Sequence, residues 1–437
     1  MARRNRFAIC LGISDDGPLK PLRRCGLRQR KARPLFPPVK NQQVRHGVAI
    51  RSVLSCNGPV ELRRRRFQSD AGQSEVPVDD LIDLASSGVS RAVREMCCRV
   101  ATDSGSFARA AANLSRLAQV QMSDEKLRQL AESEGRAVLA WHEHEQLELD
   151  FNAGKCLTDQ TGDGSICSRI YVGIDGFMVP MVTDAEAGKR HENAVVRRKK
   201  LKRKKGVRRQ KLKRRHGADQ RYKEMKLVTV YDQYKAHRLV RATRLGVKQA
   251  GRLLRDMSAD VKLKSADQIV AVTDGAEWIA RLIDANLPAK TTVILDYFHA
   301  SQHVHQTRRA LYGEDNAEGD QWSEKVLETL SKGNWQDLWQ LLLQTRSKLR
   351  SKTKRKAADD LMGYLLERRK KIDYASFRAA GYDIGSGPTE SMCKSLSRRM
   401  KGIGMRWTGK NAEAMIALEG LHQSDLWPNY WETRLAA

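Results

Sequence analysis

Three short apolar runs in this chain each stop at an aspartate, and helix-patterned segments separate the later ones. Ile170-Tyr171-Val172-Gly173-Ile174 ends at Asp175, Gln268-Ile269-Val270-Ala271-Val272-Thr273 at Asp274, and Thr291 to Leu295 at Asp296. Runs this short and this rich in β-branched residues predict strands buried in a sheet. Phe177 to Val182 and Met225 to Tyr231 (MKLVTVY) predict two further strands, with Gly176 turning the chain after Asp175. Lys248 to Met257, Ala276 to Ala285 and the stretch after Asp296 through Leu311 carry helical spacing.

The resulting order is three strands, a helix, a strand, a helix, a strand and a helix. It predicts an α/β fold with an RNase H-like domain, in which a three-stranded antiparallel meander precedes parallel strands. The domain would occupy 168–312 and resume over 383–437. Between them, 313–382 offers no strand candidate. Trp322, Val326, Leu330, Trp335, Leu338, Trp339 and Leu342 recur at helical spacing and predict the core of an all-helical insertion, with base stacking as the alternative role for a tryptophan. Upstream, Asn57-Gly58-Pro59 between two alternating runs predicts a β-hairpin within 46–77, a degenerate ribbon. Residues 78–150 read as helical. There, Ser106 to Leu114 and a second helix capped by Ser123 would place Phe107, Ala111 and Leu114 against Leu127 and Leu130. A DNA-reading helix-turn-helix and plain helical packing both fit that pair.

The net charge of +29 is concentrated in two places. Residues 1–70 carry +13 and 191–250 carry +18, while the rest of the chain sums to −2. Residues 1–45, rich in Arg, Pro and Gly, are expected to be a basic, mostly disordered arm. Inside the arm at 191–224, Arg197 to Arg215 holds 14 basic residues in 19 and no acid. These are Arg197, Arg198, Lys199, Lys200, Lys202, Arg203, Lys204, Lys205, Arg208, Arg209, Lys211, Lys213, Arg214 and Arg215. Such a block repels itself, so a solvated arm or long loop that binds polyanion is expected, a solubilising or targeting role being the plainer alternative. No run of about 18 apolar residues is present, so no membrane span is expected. The eight cysteines include no Cys-x-x-Cys pair, which argues against a disulfide scaffold or a zinc knuckle.

The acids supply the chemistry. A lone carboxylate at a strand end is costly unless it is paired or holds a cation, and a cap or turn residue is the plain alternative for Asp175 alone. Glu390 opens a helix at Gly385-Ser386-Gly387-Pro388-Thr389-Glu390, where Pro suits the first turn and the helix dipole tolerates an acid. Asp175, Asp274 and Glu390 together offer oxygen ligands of the kind Mg²⁺ takes, and two such ions can drive an in-line phosphoryl displacement. Along the same helix Lys394, Ser397, Arg398 and Lys401 share a face with Glu390, while Met392, Leu396 and Met400 form the apolar face. An acid followed by a phosphate-gripping row fits polynucleotide chemistry. His299 and His303 stand four apart, but the sequence HASQH lacks the glutamate of a zinc protease helix, so a structural or substrate-positioning role beside the metal site is expected.

YVGIDGFMVPMV around Asp175, VTDGAEWI around Asp274, ILDYFHASQH from Asp296 to His299, and IGSGPTESMCKSLSRRMKGIGMRW around Glu390 together resemble bacterial insertion-sequence transposases of the DDE type, in the ISKra-type branch related to the Mutator superfamily. The resemblance spans Ile170 to Trp431 and, more loosely, the chain from Val48. It implies Mg²⁺- or Mn²⁺-dependent DNA cleavage and strand transfer at terminal inverted repeats, with two ions held by Asp175, Asp274 and Glu390. Asp296 and His299 would form an Asp-x-x-His motif that handles the flanking strand. It further implies double-stranded DNA as partner, both terminal repeats and target, a homodimer or higher assembly on DNA, and a cytoplasmic, nucleoid-associated location. Relatives often carry a Cys-x-x-Cys pair before the segment that here reads Pro77-Val78-Asp79-Asp80. RRRRFQSDAGQS precedes it instead, so a zinc site at that point is not expected. Two rivals stand beside this expectation: a nuclease or resolvase of the same fold without strand transfer, and an inactive domesticated DNA-binding derivative.

Overall fold

The structure is a computed structural model, and it describes residues 43–69, 74–84, 87–144, 149–159, 164–200 and 211–436. Of the arm expected over 1–45, residues 1–42 lie outside the described residues and 43–45 open a strand instead; Lys202, Arg203, Lys204, Lys205, Arg208 and Arg209 also lie outside the described residues. By contact, the described parts of Met1–Gly47 and Arg65–Glu75 form one compact unit, and those of Val48–Arg64 and Val76–Ala437 another. β1 (Gln43–Ser55), β2 (Gly58–Ser69) and β3 (Ser74–Glu75) make a three-stranded sheet in that order. The turn falls at Cys56-Asn57, a residue earlier than predicted; Gly58, which opens β2, takes φ +96° and the Ser55 hydroxyl donates to its carbonyl at 2.8 Å.

In the larger unit α1 (Pro77–Leu81), α2 (Arg91–Asp103), α3 (Phe107–Ala118) and α4 (Asp124–His144) follow. The expected caps form. Ser106 Oγ accepts from the Arg109 amide at 3.1 Å, and Ser123 Oγ from Lys126 at 3.2 Å. Leu114, Leu127 and Leu130 are buried, with Phe107 and Ala111 packed on the same core.

The second sheet has the order β6-β5-β4-β7-β8. It comprises β4 (Arg169–Pro180), β5 (Tyr222–Asp232), β6 (Arg238–Thr243), β7 (Gln268–Thr273) and β8 (Thr292–Leu295). β4 pairs antiparallel with β5 and β5 with β6, whereas β4–β7 and β7–β8 are parallel. The fold is thus mixed α/β with a mixed five-stranded sheet. Two expectations need correcting. Ile170 to Val182 is not two strands turning at Gly176. It is one strand running to Pro180, held straight by continuous pairing with β5 as far as Pro180↔Tyr222. The third strand of the meander is Arg238–Thr243 (RLVRAT), whose arginines hide the pattern; Arg241 is buried because it pairs with Asp260 at 3.0 Å.

A third correction concerns the basic arm, which begins as a helix. α5 (Asp184–Lys200) follows β4 and carries Arg197, Arg198, Lys199 and Lys200 in its last turn. Thr183 and Glu186 exchange side-chain-to-backbone bonds at 3.1 and 3.3 Å, a reciprocal cap. Acids at the start and bases at the end match the helix dipole, which offsets some of the self-repulsion.

The other helices are α6 (Val247–Asp260), α7 (Glu277–Asn286), α8 (Tyr297–Tyr312), α9 (Ala317–Ser331), α10 (Trp335–Lys348), α11 (Lys352–Glu367), α12 (Tyr374–Ala379), α13 (Gly387–Met400), α14 (Gly409–Gln423) and α15 (Trp427–Ala436). No strand occurs between β8 and α13. Trp322 is buried and donates from its indole nitrogen to Thr345 Oγ1 at 2.9 Å, while Trp335 and Trp339 stack at 5.6 Å. Trp322 is core, as the spacing predicts, while Trp335 and Trp339 are half-buried and packed against that core. The long helix α4 lies against α14 so closely that a Cβ at Gly135 would meet the Ala414 carbonyl oxygen at 2.0 Å. Tyr430 Oη on α15 donates to Glu134 on α4 at 2.5 Å.

Candidate active site

The strand registers decide where the acids stand. Parallel pairing sets Gly173 beside Val272 and Thr273 beside Leu295. Carried on in the same steps, Asp175, Asp274 and Asp296 fall in one row across three adjacent strands, about 4.8 Å from strand to strand. The amide of Asp296 still donates to the Thr273 carbonyl at 2.8 Å, as that register requires. Asp175 is therefore not at the end of its strand. It lies just past the point where the parallel neighbour leaves, while β5 continues beside it.

α13 brings Glu390 to this row. It crosses the face of β4 that carries Gly173 and Asp175, and it seats on Gly173: a Cβ there would lie 1.9 Å from Thr389 Oγ1. On the same face Thr229 Oγ1 meets Met392 Sδ at 3.0 Å. Residues at register partners Gly176 and Lys226 face the other way, where Lys226 Nζ sits 3.8 Å over the Trp278 ring of α7. Met392, Leu396 and Met400 are buried, and Lys394, Arg398 and Lys401 are exposed, as the helix pattern predicts.

Each acid has a distinct environment. Asp175 is half-buried and accepts from the Gly176 amide at 2.6 Å. Burial pushes its carboxyl above the ordinary range, the Gly176 amide and the Cys393 side chain oppose that, and the charges of Asp274 and Glu390 add to it. Burial raises the Cys393 thiol too, and the adjoining Asp175 charge reinforces it. Asp274 accepts from the Ala276 amide at 2.8 Å. Its successor Gly275 adopts φ +82°, left-handed backbone that a side chain would strain. Glu390 is more than half exposed, accepts from Ser386 Oγ at 3.0 Å, and lies 3.8 Å from His299 Nε2.

Asp296 is completely buried and already engaged. One oxygen caps α8 by accepting from the His299 amide at 2.9 Å, and the other accepts from the Ser386 amide just ahead of α13. It ties the His299 helix to the Glu390 helix. His303 does not join His299; it stacks on Tyr364 of α11 at 3.8 Å, and burial holds its ring below the usual titration range.

Asp175, Asp274 and Glu390 stand close enough for their charges to repel, but among the described residues no three His, Cys, Asp or Glu side chains converge into a metal cage. The donor chemistry nonetheless suits Mg²⁺. That ion is commonly held by one or two carboxylates with water and substrate phosphates rather than by an all-protein cage. A mutually repelling, partly desolvated set of carboxylates is also what a cation would relieve. Along the basic arm, Arg197, Lys199, Lys200, Lys211, Lys213, Arg214 and Arg215 are exposed, and Arg198 is half-buried.

Three features of the site are not anticipated from sequence. Cys393 follows Glu390 by three, so it shares a helix face with it, a signal present but easily passed over. Gly173 and Thr389 form the seat of α13, which only the packed structure reveals. Arg399 points inward at 3% exposure, lies over Phe107 and Trp407 at 4.6 and 5.3 Å, and donates to the Ala101 carbonyl.

No protein-family model matches this chain, and no curated protein is similar to it. Among solved structures, one that it resembles is the Drosophila P element transposase strand transfer complex, at 10% identity and a TM-score of 0.33, covering 74% of this chain and 90% of that one. A superposition this loose carries no residue correspondences.

Proposed function

We propose that the chain is a DDE transposase built on an RNase H-like domain, which cuts and joins DNA at the terminal inverted repeats of an insertion sequence. The observation that carries this is the row of acids: strand register aligns Asp175 with Asp274, and α13, seated on Gly173, presents Glu390 to them. The strand order, with an antiparallel meander on one side of β4 and parallel strands on the other, supports the domain assignment, as does the helical segment between β8 and α13. Asp175 and Asp274, with Glu390, would hold Mg²⁺ or Mn²⁺, one or two ions. When bound, the metal would lower the pKa of an attacking water or 3′-hydroxyl and offset charge on the leaving oxygen.

The chain's own residues then have separate roles. Lys394, Arg398 and Lys401 hold backbone phosphates beside Glu390, and the bases of α5 and the following arm hold duplex further out. His299, within 3.8 Å of Glu390, orients that carboxylate or takes a proton near it. Asp296 is assigned the separate role of fixing both helices, since each of its oxygens accepts a backbone amide, one from each helix start. Pairing of two DNA ends calls for at least two copies of the chain on DNA, in the cytoplasm at the nucleoid. Among the described residues no helix is long and apolar enough to cross a membrane.

The test uses the full chain and a supercoiled plasmid carrying its reading frame with the native genomic flanks. With Mg²⁺, breaks at the frame's flanking repeats and joining of their 3′-ends to a second plasmid are expected. Breaks without joined products would instead support a nuclease. No breaks in Mg²⁺ or Mn²⁺ would overturn the proposal.

A further inference from the structure

The basic residues of the helical insertion have no part in the site described so far, yet one of them lies against the residue that follows Asp274. Arg368 follows the last residue of α11, and Arg369, Lys370 and Lys371 come directly after it. Its side chain lies against Gly275, the residue after Asp274: a Cβ on Gly275 would sit 3.3 Å from Arg368 Nε and 3.9 Å from its Cδ. The guanidinium is held in place by the Tyr364 ring, 4.2 Å from its centre. His303 stacks on that same ring at 3.8 Å, so imidazole and guanidinium occupy opposite faces of it. Stacking of this kind pre-orients the planar fork at little entropic cost.

The bonding of this arginine is incomplete. Its Nη1 donates to the Tyr364 carbonyl at 3.2 Å and to the exposed Glu367 carboxylate at 3.0 Å. Its Nε and Nη2 have no protein acceptor among the described residues, and no ion pair with Asp274 quenches it. The Tyr364 hydroxyl beside it is buried and has no partner there either. A stacked cation with unused donors, set against the backbone that follows Asp274 and paired only with an exposed carboxylate, is an arrangement that can bind a further anionic group. The fork geometry matches two phosphate oxygens.

We infer that Arg368 binds a backbone phosphate of the DNA strand held at the acid row, so that the helical insertion supplies a phosphate-binding residue to the active site. This rests on the proposed reading of Asp175, Asp274 and Glu390 as a phosphoryl-transfer site. The insertion then acts directly on the strand, because the phosphate would lie between metal-binding acids and a fixed cation. Charge building on phosphoryl oxygens during transfer is stabilised by such pre-placed donors.

The test separates binding from cutting. Binding of the full chain to a fluorescent 30-base-pair duplex is measured by anisotropy over a KCl series without divalent cation. R368Q is expected to reduce the magnitude of the log Kd against log salt slope by about 0.9, one phosphate contact, and R368K to leave it near the wild-type slope. At saturating plasmid, R368Q is expected to lose at least about 100-fold in Mg²⁺-dependent strand breakage, the size of loss seen when one such donor is removed. Where R368Q melts below the assay temperature, R368M, which keeps the stem, takes its place. An unchanged salt slope together with unchanged breakage in a folded variant would overturn the assignment of Arg368. A wild-type chain that binds with the expected slope difference but never breaks DNA would overturn the phosphoryl-transfer reading and leave the phosphate contact standing.

Discussion

Gly173→Ala puts the seating of the Glu390 helix under test. The new Cβ would lie 1.9 Å from Thr389 Oγ1, 2.7 Å from Thr229 Cγ2 and 2.9 Å from Thr389 Cβ, all inside van der Waals contact. β4 is fixed by pairing on both sides, so the helix must give way. To restore ordinary contact at 3.4 Å, α13 has to withdraw by about 1.5 Å at Thr389. Overpacking of this kind typically costs about 1–3 kcal/mol in stability. The catalytic loss should be larger in proportion, because a misplacement of about 1 Å can cost about 100-fold in rate. Glu390 sits one residue from the clash and moves with it, while Asp175 and Asp274 do not. The assay is Mg²⁺-dependent plasmid breakage beside thermal unfolding. The expected result is a moderate fall in Tm with a fall in kcat of about 100-fold and near-normal DNA binding. Thr389→Ala on the same background removes the 1.9 Å clash and should recover part of both losses. A Gly173→Ala chain with wild-type Tm and kcat would refute the idea that α13 is seated on this glycine.

Three more outcomes follow from the site. Asp175→Asn should raise Tm at pH 7 without divalent cation: the folded-state carboxyl titrates above its unfolded value of about 3.9, so its charge costs stability above that range, and the advantage of the variant should fade as pH falls through the folded pKa and vanish below the unfolded one. Mg²⁺ should then raise the Tm of the wild type and not that of the variant; equal shifts in both would contradict metal binding at Asp175. Replacing Lys394, Arg398 and Lys401 together with Gln should lower the salt slope of DNA binding by about 2.7 if each neutralises one phosphate, with Tm unchanged, and an unaltered slope would remove the face from the DNA path. Asp296→Ala removes the cap of α8 and the tether to Ser386, so a loss of about 1–3 kcal/mol by urea unfolding is expected, and a neutral result would deny its role as a clamp.

The two parallel neighbours β7 and β8 are legible in the sequence because they are short, apolar and rich in β-branched residues, and because an acid follows each. Local polarity hides the rest. Arg238–Thr243 carries two arginines, one of which is neutral in effect only because Asp260 pairs with it, and no local rule shows that partner. Gly176 reads as a turn, but it sits in a continuous strand where a Cβ would meet the Glu224 carboxylate at 2.2 Å. Thr183 and Glu186 do announce a helix start, and the basic run that follows masks it. Among the acids, the apolar runs before Asp175 and Asp274 and the helix start before Glu390 mark these residues as candidates, although Asp175 proves to lie within its strand and not at its end. Asp274 and Asp296 look alike that way, since both follow parallel strands; that both oxygens of Asp296 accept backbone amides is visible only in the packed structure. Arg368 has no sequence signal at all, because its nearness to Gly275 spans nearly a hundred residues of chain.

Whether Asp175, Asp274 and Glu390 act as one metal-dependent site on DNA is tested most directly with the wild type and the single variants D175N, D274N and E390Q. Each is incubated with the donor plasmid in Mg²⁺, in Mn²⁺ and in EDTA. Breaks and joined ends are predicted for the wild type with either metal and none in EDTA. All three variants should lose both products while each still binds duplex DNA. Breakage by any one of the three at the wild-type rate would contradict a shared site.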